Sequence, residues 1–414
     1  MDQDRSPESK TRRIGDTAEL DARGITSLRV LNCIRGAGEA SRTDIAAALS
    51  LSPATVTSVT SGLMSGSLIE EVASQEMGEP TRRGRPRVAL RLTKGLHHVA
   101  GIKIARKSVS AQILDFDGTV VAKGEFPLAR FQMDPADLVA TVSASVAETC
   151  RDIFGGIGAL AGISIGLAGQ VNANTRFVHW SSSLTRRNVD LGSLLDAELP
   201  CPSFVENDAN LVAKAEHLFG EARGLTNFLV VTVEYGLGLG IVLEGKLHRG
   251  ERGCGAEFGH TKIMLDGAMC QCGQAGCLEA YIGSYALRRD AAGFLDNTET
   301  ATALDVIQAA TDGNQEAQAI LDRAGRVFAL GLANLINLFD PEMVILSGAP
   351  DRIAHLHTDA VLAQIGENVL SIDAPQPAIR VHPWGDEMWA RGAAALGIEK
   401  VSALKVRELG RDAA

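Results

Sequence analysis

Four soft metal ligands fall close together in the segment EFGHTKIMLDGAMCQCGQAGCLE, residues 257–279. They are His260, Cys270, Cys272 and Cys277, one imidazole and three thiolates. Such a set suits tetrahedral zinc, closed to water and therefore structural. Gly273 and Gly276 permit the tight backbone that the loop needs. The alternative is a loop with three free thiols, which leaves four soft ligands idle. In a reducing compartment a cluster of this kind reads as metal-binding before it reads as disulfide. The chain has seven cysteines in all. Cys254 precedes the motif and is expected to be a buried free thiol.

A metal on one ring nitrogen of His260 leaves the other as a fixed hydrogen-bonding partner. Glu257 and Glu279 flank it, and two carboxylates beside an imidazole suit the hydroxyls of a sugar. A second polar pair, Asn207-Asp208, stands in VENDAN. By itself that pair reads as a polar turn entering a helix.

The elements that must position these groups are α/β. From about residue 96, strand-like stretches (VAGIKIA, SAQILDFDG, GISIGLAG, NFLVVTVEYG, EMVILSG) alternate with helical ones. Glycine is frequent at strand ends. The run Gly236–Gly240 reads as close strand packing in a buried turn.

The first 94 residues have another character. Residues 1–22 are polar and read as a flexible arm. Helical periodicity follows through Ile25, Leu28 and Leu31, broken by Gly36 and Gly38. Ser41 opens a short helix with Asp44 three residues on, close to a capping box. Ser52 and Pro53 open a second, with Val56, Val59 and Leu63 on its buried face and Gly66 at its end. Residues 68–92 predict a hairpin, Leu68-Ile69 against Val88-Ala89-Leu90, with GEPTRRGRPR as its tip. This is the pattern of a winged helix-turn-helix. The second helix would offer Ser52, Thr55, Thr57, Ser58 and Ser61 to the major groove. Arg82, Arg83, Arg85 and Arg87 of the wing suit phosphates and a narrow minor groove. The alternative is a small protein-binding module with a solvated Ser/Thr face.

Charge agrees with a division of labour. The net charge is −10. Residues 1–94 hold 14 Lys and Arg against 12 Asp and Glu, and the rest hold 26 against 38, giving +2 and −12. A mildly basic head on an acidic body suits nucleic-acid contact at one end. No apolar run is long enough for a membrane span, and the N-terminus lacks the apolar core of a secretory signal. The cytoplasm is the expected location.

The pattern Glu257, Gly259, His260, then Cys270, Cys272, Gly273, Gly276, Cys277 and Glu279 resembles that of the ROK family (repressors, open reading frames and kinases). Gly84-Arg85-Pro86 resembles the wing of its repressors, so the resemblance covers nearly the whole chain. It implies an actin-like ATPase body of two sugar-kinase-like, RNase H-like α/β lobes with a sugar in the cleft. The expected division is 1–22 arm, 23–94 DNA-binding domain, 95–203 with 386–414 first lobe, and 204–385 second lobe with the zinc site. A helix around 386–398 would return to the first lobe. The resemblance makes Asn207, Asp208, Glu257, His260 and Glu279 sugar ligands. In family kinases the Asp is also the general base. Ser181, Ser182 and Ser183 stand where members often have a Pro-Asn loop over the sugar.

Phosphoryl transfer needs phosphate-cradling loops and a carboxylate that positions magnesium. Family kinases carry an Asp-x-Gly-Gly-Thr-Lys turn after the first strand. Here the same place reads Lys103-Ile104-Ala105-Arg106-Lys107-Ser108. Gly236-Leu237-Gly238 lacks the hydroxyl of a second phosphate loop, and Glu234 would repel phosphate. Ser347-Gly348-Ala349 keeps the adenosine-site glycines only in part. The expectation is therefore no enzyme and no catalytic residue, but a sugar-responsive repressor with structural zinc. Its partners would be an inverted-repeat operator DNA, a monosaccharide effector and one or three further copies of itself. The alternative is an active sugar kinase with a regulatory head.

Overall fold

Three helices and a small sheet form the N-terminal part. Helix α1 (Ala22–Ala37) is followed by strand β1 (Glu39–Ser41), α2 (Arg42–Leu49), α3 (Pro53–Ser65), β2 (Ile69–Ala73) and β3 (Val88–Leu92). The sheet order is β1-β3-β2, antiparallel throughout. This computed structural model describes residues 20–73, 88–154, 156–295, 301–370, 373, 375–382 and 387–412. The wing-tip arginines Arg82, Arg83, Arg85 and Arg87 lie outside the described residues, as does most of the arm.

Local sequence rules set the helix ends. Ser41 and Asp44 form a full capping box. Ser52 caps α3 by accepting from the Thr55 amide, with Pro53 at the first helical position. Two expectations need correction. The buried stripe of α1 is Gly24, Ser27, Val30, Leu31, Ile34 and Arg35, whereas Ile25 is 48% exposed. The stripe opens on small residues that apolar periodicity does not register. Gly36 lies inside α1, which ends at Ala37 with Gly38 as its C-cap at φ +76°, a positive φ that glycine tolerates. Strand β1 was not anticipated, because three residues carry no period.

Contacts divide the chain into two units. One takes in the chain up to Glu206 together with Ala393 onward, and the other is Asn207–Gly392. The first contains the N-terminal part and a five-stranded sheet. Strands β4 (His98–Ile104), β5 (Ser108–Asp115) and β6 (Val120–Pro127) form an antiparallel meander. After α4 (Pro135–Phe154), β7 (Leu160–Leu167) pairs parallel with β4. A small sheet of β8 (Gly169–Asn172), β9 (Phe177–Ser181) and β10 (Val189–Asp190) follows, then α5 (Leu191–Glu198) and β11 (Ser203–Asn207). The order is β11-β7-β4-β5-β6.

The second unit opens with α6 (Asp208–Phe219), β12 (Phe228–Val233), β13 (Leu237–Leu243) and β14 (Lys246–Leu247). Helices α7 (Glu279–Ile282), α8 (Ser284–Asp290), α9 (Ala303–Thr311) and α10 (Gln315–Phe339) follow. Then come β15 (Met343–Ser347), α11 (Pro350–Ile353), α12 (Asp359–Asn368) and β16 (Ala378–His382). The sheet order is β14-β13-β12-β15-β16, with β15 parallel to both neighbours. Helix α13 runs Glu387–Asp412, well past the expected end near residue 398. It continues because Val401, Ala403 and Val406 are buried in the first unit.

Within the first unit one buried cation ties three segments together. Arg35 of α1 donates from Nε to the Phe116 carbonyl at 3.1 Å and from Nη2 to Ser402 Oγ of α13 at 3.1 Å. It also donates from Nη1 to Asn32 Oδ1 and lies 5.1 Å above the Phe116 ring. Burial brings its guanidinium down to about 10. Gly66, at the end of α3, meets the Leu409 side chain so closely that a Cβ there would collide with it.

Candidate functional site

The loop 257–279 folds back on itself. Gly273 and Gly276 both take positive φ, and a Cβ on Gly276 would lie 1.8 Å from the Met264 carbonyl oxygen. Only glycine fits there. The turn brings His260, Cys270, Cys272 and Cys277 together, their donor atoms all within 4.8 Å of one another. Cys272 and Cys277 sulfurs are 3.7 Å apart, and Cys270 Sγ is 3.6 Å from His260 Nδ1. Ligands about 2.3 Å (sulfur) and 2.0 Å (nitrogen) from a tetrahedral ion stand ~3.5–3.8 Å from each other. The residues present therefore fit a single small divalent ion. Cys254 stands outside the cluster. It is half-buried, not buried as expected, and its thiol donates to the Arg252 carbonyl at 3.4 Å.

Nδ1 of His260 faces the sulfurs, and Nε2 faces the Glu257 carboxylate at 3.9 Å. On the other side, Cys270 Sγ lies 3.8 Å from Glu279 Oε1 and 3.4 Å from the Tyr285 hydroxyl. Tyr285 donates to Glu279 Oε1 at 3.2 Å, and burial, Cys270 and Glu279 all push its hydroxyl up. Burial likewise raises the Cys270 thiol. Glu279 Oε2 accepts the Leu237 amide at 3.0 Å. Glu279 thus connects the cluster to the start of β13. Arg289 holds the loop from behind, donating to the Met269 and Ala280 carbonyls. Tyr285 and Arg289 had no signal in the sequence, since neither belongs to a spaced motif.

Strand β13 also packs on α6, the helix that the other polar pair opens. A Cβ on Gly238 would lie 2.9 Å from Ala209, and one on Gly240 2.6 Å from Ala213, both in α6. Gly238 and Gly240 thus serve close packing of a strand on a helix and lie within β13, not in the buried turn expected. Asn207 is the N-cap of α6, accepting the Asn210 amide at 3.3 Å, and Asp208 is the first helical residue. The structural role of the pair as a helix entry is therefore met.

The residues singled out in the loops expected to lack phosphate chemistry make the following contacts. Lys103 is buried in β4. Arg106, in the β4–β5 turn, stacks 4.7 Å from the Phe131 ring. Glu234, expected to repel phosphate, forms an ion pair with Arg352 of α11. Its charge is compensated, which removes the repulsion expected there. Gly348 packs on the Val233 carbonyl, 2.4 Å from where a Cβ would sit. Ser181 and Ser183 are buried, and Ser181 Oγ donates to the Ala168 carbonyl at 2.8 Å.

On α3, Ser52, Thr55, Thr57, Ser58 and Ser61 are all exposed. Ser52 and Thr55 hydroxyls bond each other at 2.8 Å, and Thr57 Oγ1 donates to the Pro53 carbonyl. Arg42, which the sequence did not single out, bridges α2 to Thr60 of α3 and to Glu71 of β2.

The ROK family pattern matches residues 99–400. The chain belongs to the ROK family. The xylose repressor of Caldicellulosiruptor bescii is 28% identical over 355 residues, covering 83% of this chain and 88% of that one. The glucokinase of Streptomyces coelicolor is 32% identical over 264 residues, covering 60% of this chain and 80% of that one. Among solved structures, a ROK family transcriptional regulator, described as a homolog of the E. coli MLC protein, superposes with a TM-score of 0.77 at 27% identity. It covers 93% of this chain and 99% of its own. Both regulators and sugar kinases are thus relatives of this ROK protein. The body has the family's actin-like sugar-kinase fold, and the N-terminal helical region has its counterpart in the regulator. No helix among the described residues is long and apolar enough to cross a membrane.

Proposed function

We propose that this ROK protein is a sugar-responsive, DNA-binding transcriptional repressor whose kinase-like body binds a monosaccharide without phosphorylating it. The observation that carries this reading is the N-terminal part. The repressor relative matches 83% of the chain, whereas the kinase relative matches 60%. The three helices and small sheet read as a winged helix-turn-helix with α3 as recognition helix. Residues 23–94 would be the DNA-binding domain, with lobes at 95–203 plus 386–414 and at 204–385.

Ser52, Thr55, Thr57, Ser58 and Ser61 would face the major groove, and Arg82, Arg83, Arg85 and Arg87 the phosphates beside it. A homodimer would present two such heads to an inverted repeat. Zinc held by His260, Cys270, Cys272 and Cys277 would supply structure alone, with no position left for water. Asn207, Asp208, Glu257, His260 and Glu279 would bind the sugar hydroxyls. Sugar binding would weaken operator binding, and operator DNA would weaken sugar binding by the same factor.

The test is a gel shift on the DNA upstream of the protein's own gene, at fixed salt because phosphate contacts are salt-dependent. D-xylose, N-acetyl-D-glucosamine and D-glucose are added in turn. A specific shift abolished by one sugar supports the reading. The absence of any specific shift overturns it. The kinase relative favours a second reading, an active sugar kinase, which ADP release with any of these sugars above background would establish.

A further inference from the structure

The sulfur of Cys277 has a cationic neighbour that the metal motif does not include. Lys262 Nζ donates to Cys277 Sγ at 2.8 Å, to Gln274 Oε1 at 2.6 Å and to the His260 carbonyl at 3.4 Å. Lys262 and Cys277 also face each other as an antiparallel bridge, with the Leu278 amide donating to the Thr261 carbonyl. Its three acceptors come from both arms of the loop, 260 on one side and 274 and 277 on the other. We propose that Lys262 is a working part of the metal centre, an outer clasp that closes the loop and offsets its surplus charge.

The proposal rests on the zinc reading above. Three thiolates around a dication leave one surplus negative charge, and Cys277 and Cys270 are buried where such a charge is poorly solvated. One ammonium on a sulfur offsets the surplus of the four ligands themselves, beside the carboxylates of Glu257 and Glu279. The same bond draws electron density from the Cys277 thiolate, which makes that sulfur a poorer target for oxidants and alkylating agents. Lysine suits the place because its flexible stem reaches over the loop while three donors serve three acceptors. The stem lies at the surface, so its replacement leaves no hole in the core.

The test uses the full chain and three variants, Lys262→Met, Lys262→Arg and Lys262→Gln, each checked for natural secondary structure. Zinc content is measured as purified, and zinc retention is followed in competition with a chelator. Cobalt is then substituted and the thiolate-to-cobalt absorption band recorded. Lys262→Met is expected to give up zinc about tenfold more readily. Its cobalt band should move to lower energy, because a thiolate without a nearby cation holds its electrons less tightly. Lys262→Arg should recover most of the retention. Lys262→Gln, which keeps a donor but no charge, should stay near Lys262→Met. The difference between the natural chain and Lys262→Met should narrow as salt is raised, since an exposed charge is screened. A Lys262→Met protein that holds zinc as tightly as the natural chain, with an unmoved cobalt band, overturns the proposal alone. A natural chain that carries no zinc and takes up no cobalt overturns the zinc reading, and this proposal with it.

Discussion

The His260–Cys277 loop and the Arg35 joint both gather polar groups into a small space, and they do so by opposite routes. In the loop, all four metal ligands come from one short segment, and two glycines at positive φ make the turn that unites them. At the joint, Asn32 and Arg35, Phe116 and Ser402 come from three distant segments. The loop concentrates negative charge and invites a cation. The joint buries a cation and satisfies it with neutral oxygens and a ring face. A local motif can be closed by an external ion. A long-range one must be closed by the fold itself, and its strength is then the strength of the fold around it.

Removing the ion should have the largest effect. Chelation, or Cys277→Ser, is expected to disorder residues 257–279 and abolish sugar binding, with a stability loss of about 5 kcal/mol or more, given the ~10–16 kcal/mol of apparent zinc binding in small zinc domains. Calorimetry with and without chelator measures it. An unchanged unfolding profile would make the loop as self-sufficient as the joint.

Arg35→Met comes next. It leaves the Phe116 carbonyl and the Ser402 hydroxyl without their donor, at a cost of about 2–4 kcal/mol. Urea unfolding reads the loss, and faster hydrogen exchange in α1 should accompany it. The cycle with Ser402→Ala should show coupling, because both changes remove the same bond. Strict additivity would show that the joint does not act as a unit.

His355 sharpens the comparison from the other side, as a buried group that neither route has satisfied. Both ring nitrogens are shut off from solvent without a hydrogen-bond partner, and burial lowers the imidazole from 6.5 to about 4. The folded protein therefore keeps it neutral while the unfolded chain takes up a proton below about pH 6.5. Stability is lost as pH falls from 7 towards 4. His355→Leu should remove about 3 kcal/mol of that loss, seen as a flatter dependence of melting temperature on pH. An unaltered slope would mean that the imidazole finds a partner in solution.

The smallest effect belongs to a purely local device. Ser41→Ala removes the capping box of α2 and should cost about 1 kcal/mol in thermal unfolding. Its effect should add to that of Arg35→Met if local and long-range closures are independent.

The caps of α2 and α3, strands β4, β5, β7, β12 and β15, and the metal cluster were all legible in the sequence, because each depends on residues within a few turns of backbone. The α1 stripe was misread because Gly24, Ser27 and Arg35 carry no apolar signal. Helix α13 was cut short because its later burial is decided by the first unit, hundreds of residues earlier in the chain. Residue type and spacing alone determined that His260, Cys270, Cys272 and Cys277 would meet, since a loop closed by glycines has few other ways to fold. Only the tertiary structure decided that Glu279 would join the cluster to β13, that Arg352 would neutralise Glu234, and that Arg35 would find Ser402. Those bonds join segments whose encounter is fixed by the packing of whole sheets and helices, and no local pattern encodes it.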